Sequence, residues 1–198
     1  MLIVYDFDGV VADSRESVEA MYGDLAIMCG MTLTNADMDY IFSHGMKDNV
    51  KLFGPEAWQY VHRLDYRKYA DMMKLEPGVI ETFSFLKGKG ANIAILTSRV
   101  SGLAYSLRRF CLTGYVDICV DGKNATTGKP EPLELIFLKS LDKDIFYIGD
   151  SRIDEETADN ADVPFIAYRN LELNPIYHLS CHTELIYLLT NGCLYDTR

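Results

Sequence analysis

Five short apolar runs, separated by longer stretches with helical spacing, constrain the fold of this chain more than any other feature. Each run has the length of a β-strand, is rich in Ile, Val, Phe or Tyr, and lacks the alternation of a half-exposed strand. Strands that alternate with helices predict an α/β fold: an open parallel sheet with helices on both faces. The predicted strands are Leu2–Tyr5, Asn92–Leu96, Tyr115–Val120, Asp144–Ile148 and Pro164–Tyr168.

The predicted helices fill the gaps between these strands and close the chain. Val79–Lys87 places its apolar side chains on one face, and it lies between Pro77-Gly78 and Gly88, which are typical helix boundaries. The other predicted helices are Leu103–Phe110, Pro132–Ser140, Asp154–Ala161 and Thr183–Thr190.

One interval is too long for a single strand–helix–strand unit. Asp6 and Thr97 are 91 positions apart, whereas such a unit needs roughly 30 residues. We therefore predict a helical cap, residues 14–75, inserted into a core formed by residues 1–13 and 76–198. The insert contains seven of the eight methionines and shows helical periodicity in Val18–Met28 and Ala57–Met73.

Charge and cysteine content narrow the class of partner. With 19 Lys and Arg against 29 Asp and Glu, the net charge is −10, which disfavours nucleic acids and anionic membranes as partners. A small anionic ligand is not excluded, because one local cluster of positive groups can bind it.

Five widely spaced cysteines without a Cys-x-x-Cys pair favour free thiols, several of them as small buried hydrophobes. The short apolar run Met1–Tyr5 does not resemble a signal peptide, so we expect a cytoplasmic protein. The oligomeric state is left open.

Polar residues follow three of the predicted strands where each strand ends. Asp6 follows the first, Thr97-Ser98 the second and Asp150 the fourth. Ligands of open parallel sheets bind beyond the carboxyl ends of the strands. Together with Lys129 in the loop Gly128-Lys129-Pro130, these residues predict one site at that edge.

The residue types at this edge indicate phosphate chemistry assisted by a metal ion. Asp6 and Asp8 are two positions apart as the chain leaves its strand, which suits a nucleophile and a general acid/base. Asp150 and Asp154 add negative charge, so the carboxylates would repel one another and a phosphate unless a cation lay among them. Oxygen ligands with few His or Cys favour Mg²⁺.

Four segments, in chain order, resemble the motifs of the haloacid dehalogenase-like (HAD) hydrolases. Asp6–Ser14 resembles the first motif, although Val10 stands where many members have Thr. Thr97-Ser98, Lys129-Pro130 and Gly149–Asp154 resemble the second, third and fourth. The insert lies where the phosphoglycolate phosphatase and β-phosphoglucomutase branch carries its helical cap. The resemblance therefore implies a Rossmann-like HAD core with a small cap.

The resemblance also implies the role of each site residue. Asp6 would attack phosphorus and form an aspartyl-phosphate, while Asp8 would protonate the leaving oxygen and then activate water. Mg²⁺ would bind the Asp6 carboxylate, the Asp8 backbone carbonyl and Asp150. Asp154 would contact these ligands rather than the ion itself. The phosphoryl oxygens would be held by Thr97, Ser98 and Lys129.

The leading hypothesis is thus a Mg²⁺-dependent phosphatase acting on a small phosphorylated metabolite. A sugar phosphomutase shares the motifs but must restrict water at the aspartyl-phosphate. A halide-removing enzyme needs neither an acid at Asp8 nor a metal, and phosphonate cleavage needs a cap lysine, for which Lys47 or Lys51 would have to serve. A non-catalytic binding or scaffold module would predict decayed motifs, whereas all four are intact.

Two further segments contain candidate ligand residues. His44 and Lys47 lie in a break between predicted cap helices and are our candidates for substrate specificity. His178 and His182 have the i, i+4 spacing of a helical metal site, but no carboxylate or cysteine pair accompanies them. We therefore expect this pair to be surface or half-buried histidines.

Overall fold

The structure, a computed structural model, describes residues 1–195. Its main feature is a sheet of six parallel strands. The strands of the described chain are β1 (Leu2–Tyr5), β2 (Ala12–Asp13), β3 (Lys74–Leu75), β4 (Asn92–Leu96), β5 (Ile118–Val120), β6 (Ile145–Gly149), β7 (Phe165–Tyr168) and β8 (Tyr177–Leu179). The six-stranded sheet has the order β5-β4-β1-β6-β7-β8, which places β1 at its centre.

Helices cover both faces of this sheet, as the sequence predicts. The α-helices of residues 1–195 are α1 (Arg15–Met28), α2 (Asn35–Ser43), α3 (Met46–Asn49), α4 (Ala57–Val61), α5 (Tyr66–Met72), α6 (Val79–Gly88), α7 (Leu103–Arg109), α8 (Leu133–Leu141), α9 (Arg152–Ala161) and α10 (Thr183–Thr190). Helices α6, α7 and α10 pack on one face, around Phe83 and Leu185. Helices α8 and α9 pack on the other face, around Leu135 and Ala158. The α/β fold class is confirmed.

Strand boundaries differ from prediction mainly at the edges of the sheet. The predicted strand Tyr115–Val120 begins only at Ile118, because the backbone N–H groups of Tyr115 and Val116 bond back to Leu112 in a turn. Strand β8 was missed, since it has only three residues and carries the polar His178 at its centre. Edge strands of this kind lack the apolar run by which a central strand is recognised.

Helices α1–α5 pack on one another around their own apolar cluster, which includes Tyr22, Ile41 and Tyr69. Strands β2 and β3 pair antiparallel, with Ala12 opposite Leu75, so the chain leaves the sheet and returns to it side by side. The predicted helix Ala57–Met73 is in fact two helices. The Asp65 side chain accepts a hydrogen bond from Arg67 N at 3.1 Å and starts the second.

Two features bear on the expected environment. No helix among residues 1–195 combines the length and apolar character needed to span a bilayer. All five cysteines are free thiols, as predicted, but two are exposed and three are partly exposed. The expectation that several would be buried hydrophobes is therefore wrong.

Candidate active site

The three central strands bring their carboxyl ends to one edge of the sheet. In register, Tyr5 lies beside Ile95 of β4 and Ile148 of β6, so the residues that follow the three strands meet. A cavity of about 420 Å³ opens at this edge, between the sheet and helices α1–α3. The predicted site residues that line it are Asp6, Asp8, Thr97, Ser98, Lys129, Asp150 and His44.

Lys129 occupies the centre of the polar network at this edge. Its Nζ donates to Oδ1 of Asp6 at 2.7 Å and to Oδ1 of Asp154 at 2.5 Å. It also lies 3.1 Å from the hydroxyl of Tyr147. Burial alone would lower the pKa of Lys129, but the charges of Asp154 and Asp6 raise it well above its ordinary value. Lys129 is therefore a buried ammonium held between two carboxylates.

Asp154 is fixed from both sides of its carboxylate. Oδ1 accepts from Lys129 and, at 2.6 Å, from the Tyr147 hydroxyl, while Oδ2 accepts from the backbone and side chain of Ser151. Burial would raise the pKa of Asp154, yet these partners lower it. Gly149 is required beside it, because a Cβ there would lie 2.3 Å from Asp154 Cβ. With both oxygens engaged, Asp154 orients Lys129.

Asp6 and Asp150 are different, since the positive charge of Lys129 does not offset the effects of burial and of the neighbouring carboxylates on them. One carboxylate oxygen from each of Asp6, Asp150 and Asp154 lies within 4.8 Å of the others. Burial, together with the neighbouring carboxylates, raises the pKa of Asp6 to about 7 and that of Asp150 to about 8. Gly9 allows Asp150 to approach, because a Cβ at Gly9 would lie 2.1 Å from Asp150 Oδ2.

These residues fit a hard divalent cation. The donors are carboxylate oxygens, and a bound cation would lower the pKa of the two carboxyl groups that burial raises. Asp6 and Asp150 would ligate it, whereas the oxygens of Asp154 are already used. The backbone carbonyl of Asp8 is free of the hydrogen bonds that form the following turn, as far as the described residues show.

Asp8 has a partner that the sequence did not reveal. The guanidinium of Arg99 donates to it from two nitrogens, Nη2 to Oδ1 at 2.6 Å and Nε to Oδ2 at 3.2 Å. Burial would raise the pKa of Asp8, but the Arg99 charge and its hydrogen bonds lower it. Arg99 directly follows Thr97-Ser98, so its place in the second motif was the one available signal.

The two hydroxyl residues predicted to hold phosphate lie at the end of β4. Thr97 is buried, and its Oγ1 accepts from the backbone N–H of Arg99 at 3.2 Å. Ser98 faces the cavity next to Gly45 of the insert, where an added Cβ would lie 3.4 Å from Ser98 Oγ. The insert thus closely approaches the core at the second motif.

The two cap candidates have different surroundings. His44 lines the cavity, with its ring stacked on Tyr40 at 3.8 Å and its Nδ1 2.9 Å from the Tyr40 carbonyl oxygen. Lys47 does not line it; its Nζ donates to the Thr127 carbonyl at 2.9 Å, just before Lys129 in the chain. The structure therefore brings His44, but not Lys47, to the cavity.

His178 and His182 do not form a helical pair. His178 lies in β8, and His182 precedes α10. His182 is 1% exposed, so the expectation of a surface or half-buried residue is wrong for it. Its Nε2 donates to the Val10 carbonyl at 2.7 Å, in the turn that follows Asp8.

The chain is similar to known proteins in both sequence and fold. A family model described as "Haloacid dehalogenase-like hydrolase" matches residues 3–168. The chain is 27% identical to the Phosphorylated carbohydrates phosphatase of Thermotoga maritima, with 81% of each chain covered. It is 27% identical to the Phosphoglycolate phosphatase of Rhodobacter capsulatus, covering 84% of this chain and 83% of that protein. A crystal structure of a HAD-superfamily hydrolase, subfamily IA, variant 1, from Geobacter sulfurreducens superposes with a TM-score of 0.83 at 29% identity, covering 94% and 98% of the two chains.

Proposed function

Because this chain belongs to the haloacid dehalogenase-like hydrolases, we propose that it is a Mg²⁺-dependent phosphatase that hydrolyses a small phosphomonoester through an aspartyl-phosphate. The observation that carries the proposal is the arrangement of Lys129, which pairs with Asp6 and Asp154 at the wall of the cavity. The two relatives named as phosphatases support the reaction class. The cavity of about 420 Å³ suits a small metabolite.

Asp6 acts as the nucleophile in this proposal. It follows the central strand, its carboxylate faces the cavity, and Lys129 holds one of its oxygens. Attack of the other oxygen on phosphorus forms the acyl phosphate and breaks the bond to the leaving oxygen. The Lys129 ammonium and the hydroxyl groups of Thr97 and Ser98, which line the same cavity, offer hydrogen bonds to the phosphoryl oxygens as charge develops on them.

Asp8 acts as the general acid and then as the base. It gives a proton to the leaving oxygen in the first step and takes one from the attacking water in the second. Before the first step Asp8 must leave Arg99, the contact that lowers its pKa, and take up a proton from solvent, which it then gives to the leaving oxygen. A bound Mg²⁺ would neutralise the negative charge shared by Asp6, Asp150 and the phosphoryl group, and so stabilise the transferring phosphoryl oxygens.

A phosphate-release assay on a panel of phosphorylated metabolites tests the function. Wild-type protein should release phosphate with Mg²⁺ and lose that activity in EDTA. Asp6→Asn should release none, whereas Asp162→Asn, which changes a fully exposed carboxylate that does not line the cavity, should keep most of the activity. Activity of Asp6→Asn equal to wild type would contradict the proposal. Transfer of phosphate between positions of a sugar phosphate, without release, would favour a phosphomutase.

A further inference from the structure

Helix α8 exposes apolar side chains to solvent, although its other face packs on the sheet. Leu135 and Leu138 belong to the core and are fully buried. Four more apolar side chains of this helix, which we name the α8 stripe, are between 45% and 55% exposed: Leu133, Ile136, Phe137 and Leu141. A helix that is apolar around most of its circumference is typical of one that is covered on both sides.

Apolar exposure is concentrated on this helix. Among residues 1–195, ten large apolar side chains are exposed, and four of the ten form the α8 stripe. No other helix in this part of the chain has more than two of them. The α8 stripe does not line the cavity of the active site, so substrate binding does not account for it. Contiguous apolar surfaces of this kind mark a binding site for a protein or a lipid surface.

The spacing of the α8 stripe matches a second copy of the same helix running in the opposite direction. Phe137 lies four residues, about one helical turn, from Leu133 and also from Leu141. A twofold axis through Phe137 therefore brings the two Phe137 rings together, and sets Leu133 of each copy against Leu141 of the other. A symmetric dimer requires a surface that is complementary to itself in this way.

The charges at the two ends of α8 match in the same arrangement. Glu131 lies six residues before Phe137 and Lys143 lies six residues after it, so the same axis sets Glu131 of each copy beside Lys143 of the other. Both residues are exposed, and neither forms an ion pair within residues 1–195. The neighbouring Asp142 is paired with the N-terminal ammonium at 2.7 Å. Opposite charges at the edge of an interface fix its register.

The charge of the chain argues against the alternative of a lipid surface. At −10, the chain is repelled by anionic membranes. Lys139 is the single basic residue of α8, whereas helices that lie on membranes have polar faces rich in Lys and Arg. Two copies of an acidic chain bind most readily through a face on which charges cancel. The α8 stripe, with Glu131 and Lys143 at its ends, is such a face.

We infer that the chain forms a symmetric dimer in which the α8 stripes of two copies pack antiparallel about Phe137. A standard interface buries about 800 Å² of each partner. The α8 stripe forms its apolar centre, and Glu131 and Lys143 belong to its polar rim. This dimer goes beyond the proposed phosphatase activity, and none of the residues assigned to its interface lines the cavity.

Sedimentation velocity of the full chain tests the inference. The mass of the wild type should rise from one chain to two as its concentration is raised about a hundredfold, and its melting temperature should rise in parallel. Phe137→Glu should weaken the dimer by at least about a hundredfold, because it buries two carboxylates beside each other at the axis. Tyr187→Glu is the matched control, since it changes another exposed aromatic residue, on α10, and should dimerise as wild type does.

Charge reversal tests the antiparallel register separately. Glu131→Lys should weaken the dimer about tenfold, because it sets like charges beside each other at both ends of the interface. Adding Lys143→Glu should restore the affinity of the wild type. Both positions are exposed, so this pair of variants decides the matter if Phe137→Glu fails to fold. A double variant that remains as weak as Glu131→Lys would overturn the arrangement.

Two further results would overturn the inference. A wild type that stays monomeric at every concentration would do so, and flotation of that monomer with phosphatidylcholine vesicles would assign the α8 stripe to a lipid surface instead. A dimer that persists unchanged in Phe137→Glu would place the contact between the two copies elsewhere on the molecule.

Discussion

His182 connects the segment before α10 to the turn that follows β1. Its buried ring donates from Nε2 to the Val10 carbonyl, lies against Tyr168 at 4.5 Å, and has no partner for Nδ1 within residues 1–195. Burial lowers its pKa from 6.5 to about 4, the Arg169 charge adds to the shift, and the bond to Val10 opposes it. The folded protein therefore holds His182 neutral at pH values where the unfolded chain would protonate it.

This difference predicts a loss of stability in acid. As the pH falls from about 6.5 to about 4, the unfolded chain takes up a proton that the folded state refuses, so His182 contributes a loss of up to about 3 kcal/mol. Urea unfolding at pH 7.5 and 4.5 should show a smaller loss for His182→Gln than for wild type. The exposed His178→Gln is the control and should behave as wild type. Equal pH dependence of wild type and His182→Gln would contradict this role.

Individual residues of the site can be predicted from the sequence only where they directly follow a predicted strand. Asp6, Thr97 and Asp150 end the three central strands, so the sequence alone brought them together. Arg99 and Asp8 are 91 positions apart, and no spacing rule connects a loop guanidinium to that carboxylate. The sequence predicts Tyr147 only as a strand residue, because nothing in it shows that the Tyr147 hydroxyl reaches Asp154. Side-chain direction at this scale depends on packing rather than periodicity.

At the level of elements, the short helix α3 connects the insert to the core in two ways. His44, just before it, lines the cavity, and Lys47 within it bonds to the Thr127 carbonyl in the loop that carries Lys129. The two side chains should therefore have separable effects. We therefore expect His44 to act in substrate selectivity and Lys47 to hold the insert against the core.

Separate alanine variants test this division. His44→Ala should change the relative kcat/KM among natural phosphoesters by more than about tenfold, equivalent to about 1.4 kcal/mol. Lys47→Ala should lower kcat/KM by a similar small factor, about two- to fivefold, for every ester including p-nitrophenyl phosphate, because one exposed hydrogen bond contributes little. A substrate-dependent effect of Lys47→Ala would contradict the assignment of Lys47 to closure.

The helices of the insert were less predictable than those of the core. In the core, α6, α7 and α8 start directly after a glycine or proline, and α6, α9 and α10 lie within two residues of their predicted limits. In the insert, the buried Leu64 keeps the apolar spacing through the break at 62–65, so the periodicity indicates one helix where α4 and α5 form two. The break is stabilised by Asp65, whose capping role competes with helix continuation.

At the scale of the whole molecule, the carboxylates proposed to bind Mg²⁺ should lower the stability of the metal-free protein. Asp150 is a half-buried carboxyl group beside Asp6 and Asp154, and desolvation with these neighbours raises its pKa to about 8. In metal-free protein, Asp150→Asn should therefore raise the melting temperature. Mg²⁺ should stabilise the wild type, by about 2.7 kcal/mol at a hundredfold excess over Kd.

Melting temperatures of wild type and Asp150→Asn, measured with and without Mg²⁺, check both expectations. Asp150→Asn should lose most of the stabilisation by Mg²⁺, since one ligand of the proposed site is gone. A control, Asp162→Asn, alters a fully exposed carboxylate paired with Lys139 and should respond to Mg²⁺ as wild type does. An equal shift in Asp150→Asn and wild type would place the cation elsewhere.

Trapping the covalent intermediate tests the central claim most directly. Wild-type protein mixed with Mg²⁺ and its best phosphoester is quenched within one turnover and reduced with borohydride, which converts an aspartyl-phosphate to homoserine. Mass spectrometry should find homoserine at position 6 and aspartate at position 8, and Asp6→Asn should give no homoserine. Homoserine at another aspartate, or none while phosphate is released in a burst, would contradict nucleophilic catalysis by Asp6.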